Sequence, residues 1–244
     1  KEVMLILNIY KDLIENYLAI PILTGIKTEN EKFAGALYTA TMEAMMPDKK
    51  AIQMGTSHNL GQNFSKPFEV KFLGKDGKEH YVWQTSWAVS SRLIGTIAMA
   101  HGDDKGLVLP PRIAPYQIVI VPIYYKESEK KAVLKKAKEI VSELEENGVT
   151  AMVDDRTEYT PGWKFNEWEL KGVPVRIEVG PKDVKKKQII SVRRDSFEKV
   201  VVKEKQIVKK LKQILEDIQK NLFNKAKKFL EENIFTVKSY DEFK

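Results

Sequence analysis

The chain has 244 residues, enough for one large domain or two ordinary ones, with 43% hydrophobic and 31% charged residues. Its 41 Lys+Arg against 34 Asp+Glu give a formal charge of +7, a balance that favours polyanionic partners without specifying one. There is no cysteine, which excludes disulfides and thiolate metal sites, and the three histidines, His58, His80 and His101, are too scattered to pair on a metal, so no metal site is expected.

In chain order, "KEVMLILNIYKDLIENYL" carries Val3, Ile6, Leu7, Tyr10, Leu13, Ile14, Tyr17 and Leu18 at helical spacing. Charges and an Asn interrupt its apolar run and no small-residue cleavage site follows, so a buried helix is expected rather than a leader. No run in the chain reaches the ~18 apolar residues of a membrane span, and no membrane partner is expected. The first residue is not Met, and the chain reads as a piece of something longer. "MMPDKKAIQM" resembles a weak hairpin, and "FEVKFLGKDGKEHYVWQTSW" a strong one around Asp76-Gly77. From Arg92, "RLIGTIAMAHGD" places Leu93, Ile94, Ile97 and Ala98 on a helix that ends at His101-Gly102.

"LVLPPRIAP", residues 107–115, has three prolines and predicts an extended linker. The charge shifts there too: residues 1–113 hold 13 Lys+Arg and 12 Asp+Glu, and residues 114–244 hold 28 and 22. Beyond it, "QIVIVPI" is a continuous apolar run, as in a strand buried on both faces. "EKKAVLKKAKEIVSELEENG" then sets Val133, Leu134, Ala137, Ile140, Val141 and Leu144 on one helix face, with Gly148 as the stop. Strands are predicted at "TAMVDD", "VPVRIEVG" and "QIISVRR". A long basic helix follows from near Lys203, its stripe formed by Ile207, Leu211, Ile214, Leu215, Ile218 and Leu222. The fold class is therefore α/β (α+β): a largely antiparallel, helix-flanked first part, then a small α/β domain on a mixed sheet.

Two polar stretches carry candidate chemistry. "GTSHNLGQNF", residues 55–64, packs glycines, hydroxyls, an imidazole and amides without a formal charge, a lining suited to a small polar ligand. The plainer reading, which the stretch by itself favours, is a polar turn before a helix, with Asn and Ser capping it. "WQTSWAVSSR", residues 83–92, ends on Arg92 where a helix begins, a position suited to phosphate oxygens. The competing reading pairs Arg92 with Glu43 or Asp103. Trp83 and Trp87 are expected to pack rather than line a pocket.

Together "QMGTSHNLGQNF", "QTSWAVSSRLIG", "HGDDKGLVLPPRIAPYQIVIVPI" and "DDRTEYTPGWKFNEWELKGVPVRIEVGPKD" resemble the prolyl-tRNA synthetase family, of the archaeal and eukaryotic kind. The resemblance implies a class II aminoacyl-tRNA synthetase: residues 1–113 as the C-terminal part of the catalytic domain, with an antiparallel sheet and helices. It implies an anticodon-binding domain at 114–205, and a linker helix with the start of a truncated C-terminal domain at 206–244. The implied reaction joins L-proline to ATP, with Mg2+, and passes the prolyl group to tRNA(Pro), in a cytoplasmic homodimer. Family zinc would belong to a C-terminal region beyond this chain. The first two class-defining motifs would lie upstream, so a fragment inactive by itself is expected, and a non-catalytic tRNA-binding module is the alternative.

By the same resemblance Gln53, Thr56, Ser90 and Arg92 match ATP-site positions, with Arg92 the catalytic candidate on the ATP tail, and His58 lines the proline pocket. In the second domain Trp163 or Phe165 would stack on anticodon bases. Glu167 would accept from a guanine edge, and Arg193 and Arg194 would meet phosphates or guanine acceptors. Trp168 and Leu170 are expected in the core, and Lys185–Lys187 in a solvated loop.

Overall fold

The computed structural model describes residues 1–243, which divide into two compact units. Residues 1–16, 20–100 and 227 onward form the first, and residues 17–19 and 101–226 the second.

The first unit opens with helix α1 (Glu2–Asp12), prolonged by a π-helical turn over Leu13–Tyr17. Val3, Leu7 and Ile14 are its buried stripe, as the spacing predicts. Strand β1 (Leu23–Ile26) pairs antiparallel with β2 (Tyr38–Met45), and β2 with β3 (Ala51–Gly61). The turn between β2 and β3 falls at the expected weak hairpin, with Met45 opposite Ala51. Strands β4 (Lys71–Leu73) and β5 (Glu79–Tyr81) form the Asp76-Gly77 hairpin, where Gly77 has φ +75°. Strand β6 (Gln84–Ala88) completes the sheet order β1-β2-β3-β6, and α1 packs across β2, β3 and β6. Helix α2 (Arg92–His101) follows β6.

Two expectations change here. The polar stretch after Met54 is strand through Gly61, not a turn before a helix: β3 is central, so its backbone groups are committed to ladders on both sides. Trp83 is 74% exposed and Trp87 is also exposed, so neither is a core residue of this chain.

In the second unit, β7 (Ile118–Pro122) lies between β8 (Ala151–Val153) and β9 (Val175–Val179), parallel to both. Helix α3 (Glu127–Glu146) makes the β7–β8 crossover, and α4 (Pro161–Leu170) the β8–β9 one. After α5 (Pro181–Lys186), antiparallel β10 (Gln188–Arg193) and β11 (Lys199–Lys203) extend the sheet to the order β11-β10-β9-β7-β8. Every β7 residue is buried, because the sheet is covered on both faces. Ile118 and Ile120 meet Val133, Ala137 and Ile140 of α3, whereas Val119 and Val121 meet Trp168 of α4.

Helix α6 (Ile207–Glu232) is more than a linker. Its stripe, Ile207, Leu211, Ile214, Leu215, Ile218 and Leu222, belongs to the same buried cluster as Ile118 and Ile120. At about 1.5–3 kcal/mol per buried aliphatic side chain, it is a principal contributor to that core. A short helix, α7 (Tyr240–Phe243), lies near the chain end.

The proline-rich segment is also no free tether. The Leu107 amide donates to the Leu170 carbonyl at 3.0 Å, and the Leu109 amide to the Gly172 carbonyl at 3.1 Å. The two backbones approach so closely that a Cβ at Gly106 or Gly172 would lie 2.6 Å from a carbonyl oxygen of the other segment. Leu170 therefore contributes its backbone rather than its side chain, which is 61% exposed, contrary to its expected core role.

Candidate functional site

In the first unit the polar strand brings several candidates onto one sheet. Thr56 and His58 are two residues apart on β3 and so share a face, and Thr39 of β2 is the register partner of His58. The Thr39 hydroxyl lies 2.8 Å from His58 Nδ1, and that of Thr56 lies 3.1 Å from Nε2. Thr39 Oγ1 also accepts from the Phe33 amide at 3.0 Å. The Phe33 ring sits 5.0 Å from the imidazole. Burial, then the nearby Lys27 charge, pushes the His58 pKa below its usual value, so the ring is neutral at pH 7.

Arg92 begins α2, with its side chain exposed and aimed back at β3. Its Nη1 donates to the Gln53 carbonyl at 3.1 Å, and its amide donates to Ser90 Oγ at 3.3 Å. The structure thus joins Gln53, Ser90 and Arg92, and separately joins Thr56 and Thr39 through His58. The expected carboxylate partner is not there: among the described residues no Asp or Glu forms an ion pair with Arg92, and Asp103 is held by Arg194. A guanidinium held by one neutral carbonyl retains most of its donors for an anionic ligand. Among the described residues no cluster of three or more His, Cys, Asp or Glu could hold a metal.

The second unit builds its surface on the β8–α4 connection. Thr160 caps α4 by accepting from the Trp163 amide, and Pro161 occupies the first turn, where its missing N–H costs nothing. This places Trp163 flat on Tyr159, with centroids 3.8 Å apart and planes at 10°. The Arg156 guanidinium lies 5.0 Å from the Tyr159 ring and 5.4 Å from the Trp163 ring. Arg156 is itself fixed by Asp154, which accepts from Nε at 2.8 Å and Nη2 at 2.7 Å, and by Glu167.

Asp154 anchors the arrangement. Its carboxylate also accepts from Trp168 Nε1 at 2.8 Å, and buried Lys164 donates to its backbone carbonyl at 2.9 Å. Burial would raise its pKa, but the Arg156 and Trp168 hydrogen bonds and the Lys164 charge outweigh that and hold it at about 2. Trp168 is buried, as expected.

The candidate RNA-contacting residues separate into different environments. Trp163 is partly exposed on its aromatic platform. Phe165 instead packs against the Val119–Val121–Trp168 cluster, with the Arg176 guanidinium 4.1 Å from its ring centre. Glu167 is engaged by Arg156 and, at 2.8 Å, by Lys171. Arg193 forms a two-point pair with Asp195 at 2.9 and 2.8 Å. Arg194 is 3% exposed and forms a two-point pair with Asp103 at 2.7 and 2.6 Å while donating to the Glu169 carbonyl. The exposed Lys185 and Lys186 lie on α5 rather than in a loop.

Asp154, Arg156 and Tyr159 were not singled out from the sequence. A signal was available: three acidic residues, an Arg and an aromatic in "DDRTEY" directly after a strand is a costly composition for a plain loop.

Comparison with known proteins follows the same division. Residues 117–214 match the family model described as "Anticodon binding domain". Over 242 residues the chain is 52% identical to a proline–tRNA ligase of Natranaerobius thermophilus, covering 99% of this chain and 50% of the relative. It is 51% identical to a proline–tRNA ligase of Prosthecochloris aestuarii and to a proline–tRNA ligase 2 of Bacillus thuringiensis, covering 100% of this chain and 50% of each relative. By this similarity residues 117–214 form an anticodon-binding domain, and the chain as a whole is similar to a segment spanning about half the length of the curated proline–tRNA ligases it matches.

Proposed function

We propose that this chain is the anticodon-reading part, and one wall of the aminoacylation site, of a proline–tRNA ligase. The observation that carries the reading is the similarity to proline–tRNA ligases across 99% of the chain, with the anticodon-binding match falling on the second unit. In the proposed reaction a proline carboxylate oxygen attacks the α-phosphorus of Mg2+-bound ATP, pyrophosphate leaves, and the prolyl group then passes to tRNA(Pro). Positioning and charge neutralisation suffice for such a displacement, without a protein nucleophile.

Arg92 supplies neutralisation at the ATP tail, steadied by the Gln53 carbonyl, with Ser90 at the helix start. Gln53 and Thr56 line the ATP side, and neutral His58 the proline side. Mg2+ enters with the nucleotide, bound through its phosphates. Trp163 presents a face for base stacking, and Glu167 an acceptor for a guanine edge. Arg193 and Arg194 hold the surface in shape through their carboxylate partners. The working enzyme is proposed to be a cytoplasmic homodimer. No described helix is long and apolar enough to cross a membrane.

The test is proline-dependent ATP–pyrophosphate exchange. The full-length protein that carries this chain is expected to exchange, and the 244-residue chain alone is not. Exchange by the isolated chain contradicts the division of the active site. A full-length protein that binds tRNA(Pro) but never exchanges is instead a non-catalytic tRNA-binding module.

A further inference from the structure

Thr39 is 1% exposed and has one hydroxyl proton to place. Its oxygen already accepts from the Phe33 amide at 3.0 Å, and its other side-chain hydrogen-bond partner among the described residues is His58 Nδ1 at 2.8 Å. A buried hydroxyl that donated nothing would carry an unmet desolvation cost, so its proton belongs on the bond to Nδ1. Neutral imidazole has one donor and one acceptor nitrogen, and the ring proton is therefore on Nε2. Nε2–H then donates to Thr56 Oγ1 at 3.1 Å. Thr56 is only partly buried, and its own proton is left for a group outside the chain.

We propose that Thr39 is a positioning residue that fixes the His58 tautomer and thereby turns the Thr56 hydroxyl into a directed donor toward an anionic oxygen of the bound substrate. The run from the Phe33 amide through Thr39, His58 and Thr56 has one sense, and each bond polarises the next. Lys27 is the charged group acting on the ring, and it opposes a second ring proton, as burial also does. The Phe33 ring at 5.0 Å limits rotation of the imidazole out of this arrangement. That the oxygen belongs to prolyl-adenylate or its precursors rests on the function proposed above; the tautomer does not.

The three histidines make a direct test practical. In the 15N-histidine-labelled chain at neutral pH, long-range 1H–15N spectra should show His58 with a bare Nδ1 and a protonated Nε2, assigned by their disappearance in His58→Gln. Thr39→Val keeps the side-chain shape but removes the donor, and should move the ring toward a tautomer mixture, while Thr39→Ser restores the wild-type pattern. His80 lies in the same unit, and its unchanged signals would show that the unit is still folded. A protonated Nδ1 in wild type, or an unchanged pattern in Thr39→Val, would overturn the proposal.

A second arm uses a non-hydrolysable prolyl-adenylate analogue and the full-length protein. Thr39→Val should weaken binding about tenfold, with Thr39→Ser near wild type, the scale of one misdirected hydrogen bond. Equal affinity for all three overturns the role given to Thr39. If wild type itself does not bind the analogue while the tautomer results hold, the prolyl reading fails and the Thr39–His58 arrangement stands.

Discussion

Replacing Asp154 with alanine removes a carboxylate whose side chain is 1% exposed and which gathers four hydrogen bonds, three from Arg156 (its amide, Nε and Nη2) and one from Trp168. Buried Lys164 would keep the Asp154 carbonyl but lose the carboxylate that lies 3.6 Å away, and the Trp168 indole N–H would face apolar neighbours unpaired. Breaking a buried pair by removing one partner costs about 3–5 kcal/mol, since the remaining charge is uncompensated. The pH dependence gives a second estimate. The Asp154 pKa falls from 3.8 to about 2 on folding, so its contribution is fully present above pH 3.8 and is lost as pH falls through about 2. At 1.36 kcal/mol per pH unit that amounts to about 2 kcal/mol of charge-dependent stability. It is smaller than the alanine penalty because acid leaves the side chain and its packing in place.

The assay should report the second unit by itself, because two units need not unfold together. Hydrogen exchange at the β7 and β9 amides under increasing urea serves this purpose. The expectation for Asp154→Ala is a loss of ~3–5 kcal/mol in opening free energy, with Asp155→Ala, at an exposed neighbour, within ~0.5 kcal/mol of wild type. A loss below about 1 kcal/mol would refute the anchoring role and show that Arg156 and Lys164 find other partners.

Arg92→Ala in the full-length protein should cost about 2–4 kcal/mol of transition-state stabilisation in adenylate formation without altering stability, checked by exchange kinetics beside thermal unfolding. Trp163→Ala should weaken binding to tRNA(Pro) by about 1–3 kcal/mol, the worth of one base–aromatic stack, while stability changes little. Phe165→Ala should instead destabilise the fold, because its ring packs with Trp168; urea melts of the two variants separate the effects. Arg194→Ala should destabilise the second unit by leaving Asp103 without its strongest partner. That carboxylate has a pKa of about 2, held down chiefly by Arg194, so the wild-type advantage should shrink as pH falls from 3.8 toward 2 in acid titrations of both proteins.

The elements with a clean period were legible in the sequence. Strand β7, helices α1, α3 and α6, and the Asp76-Gly77 hairpin follow directly from apolar spacing or turn chemistry. Strand β11 was hidden because "EKVVVKEK" runs into the basic start of α6, and only pairing with β10 marks it as a strand. The polar half of β3 was hidden for a related reason. Thr56, Ser57, His58 and Asn59 have side chains that often make turns, and their strand state is imposed by neighbours on both sides. Ion-pair partners were the least legible feature. Arg194 meets Asp103 across 91 residues of sequence, and no local pattern links them. For the same reason Thr39 could not be connected to His58 before the β2–β3 register was known.

The most direct measurement of the central claim is a binding titration of the 244-residue chain with two transcripts at fixed salt: tRNA(Pro), and the same tRNA with its anticodon guanines replaced. If Trp163 and Glu167 belong to an anticodon-reading surface, the native transcript should bind more tightly by about 1–3 kcal/mol, or roughly ten- to hundredfold, for each guanine replaced. Glu167→Ala should narrow that gap, whereas Lys186→Ala should lower both affinities alike through the phosphate term. Equal affinity of the wild-type chain for the two transcripts would contradict the account.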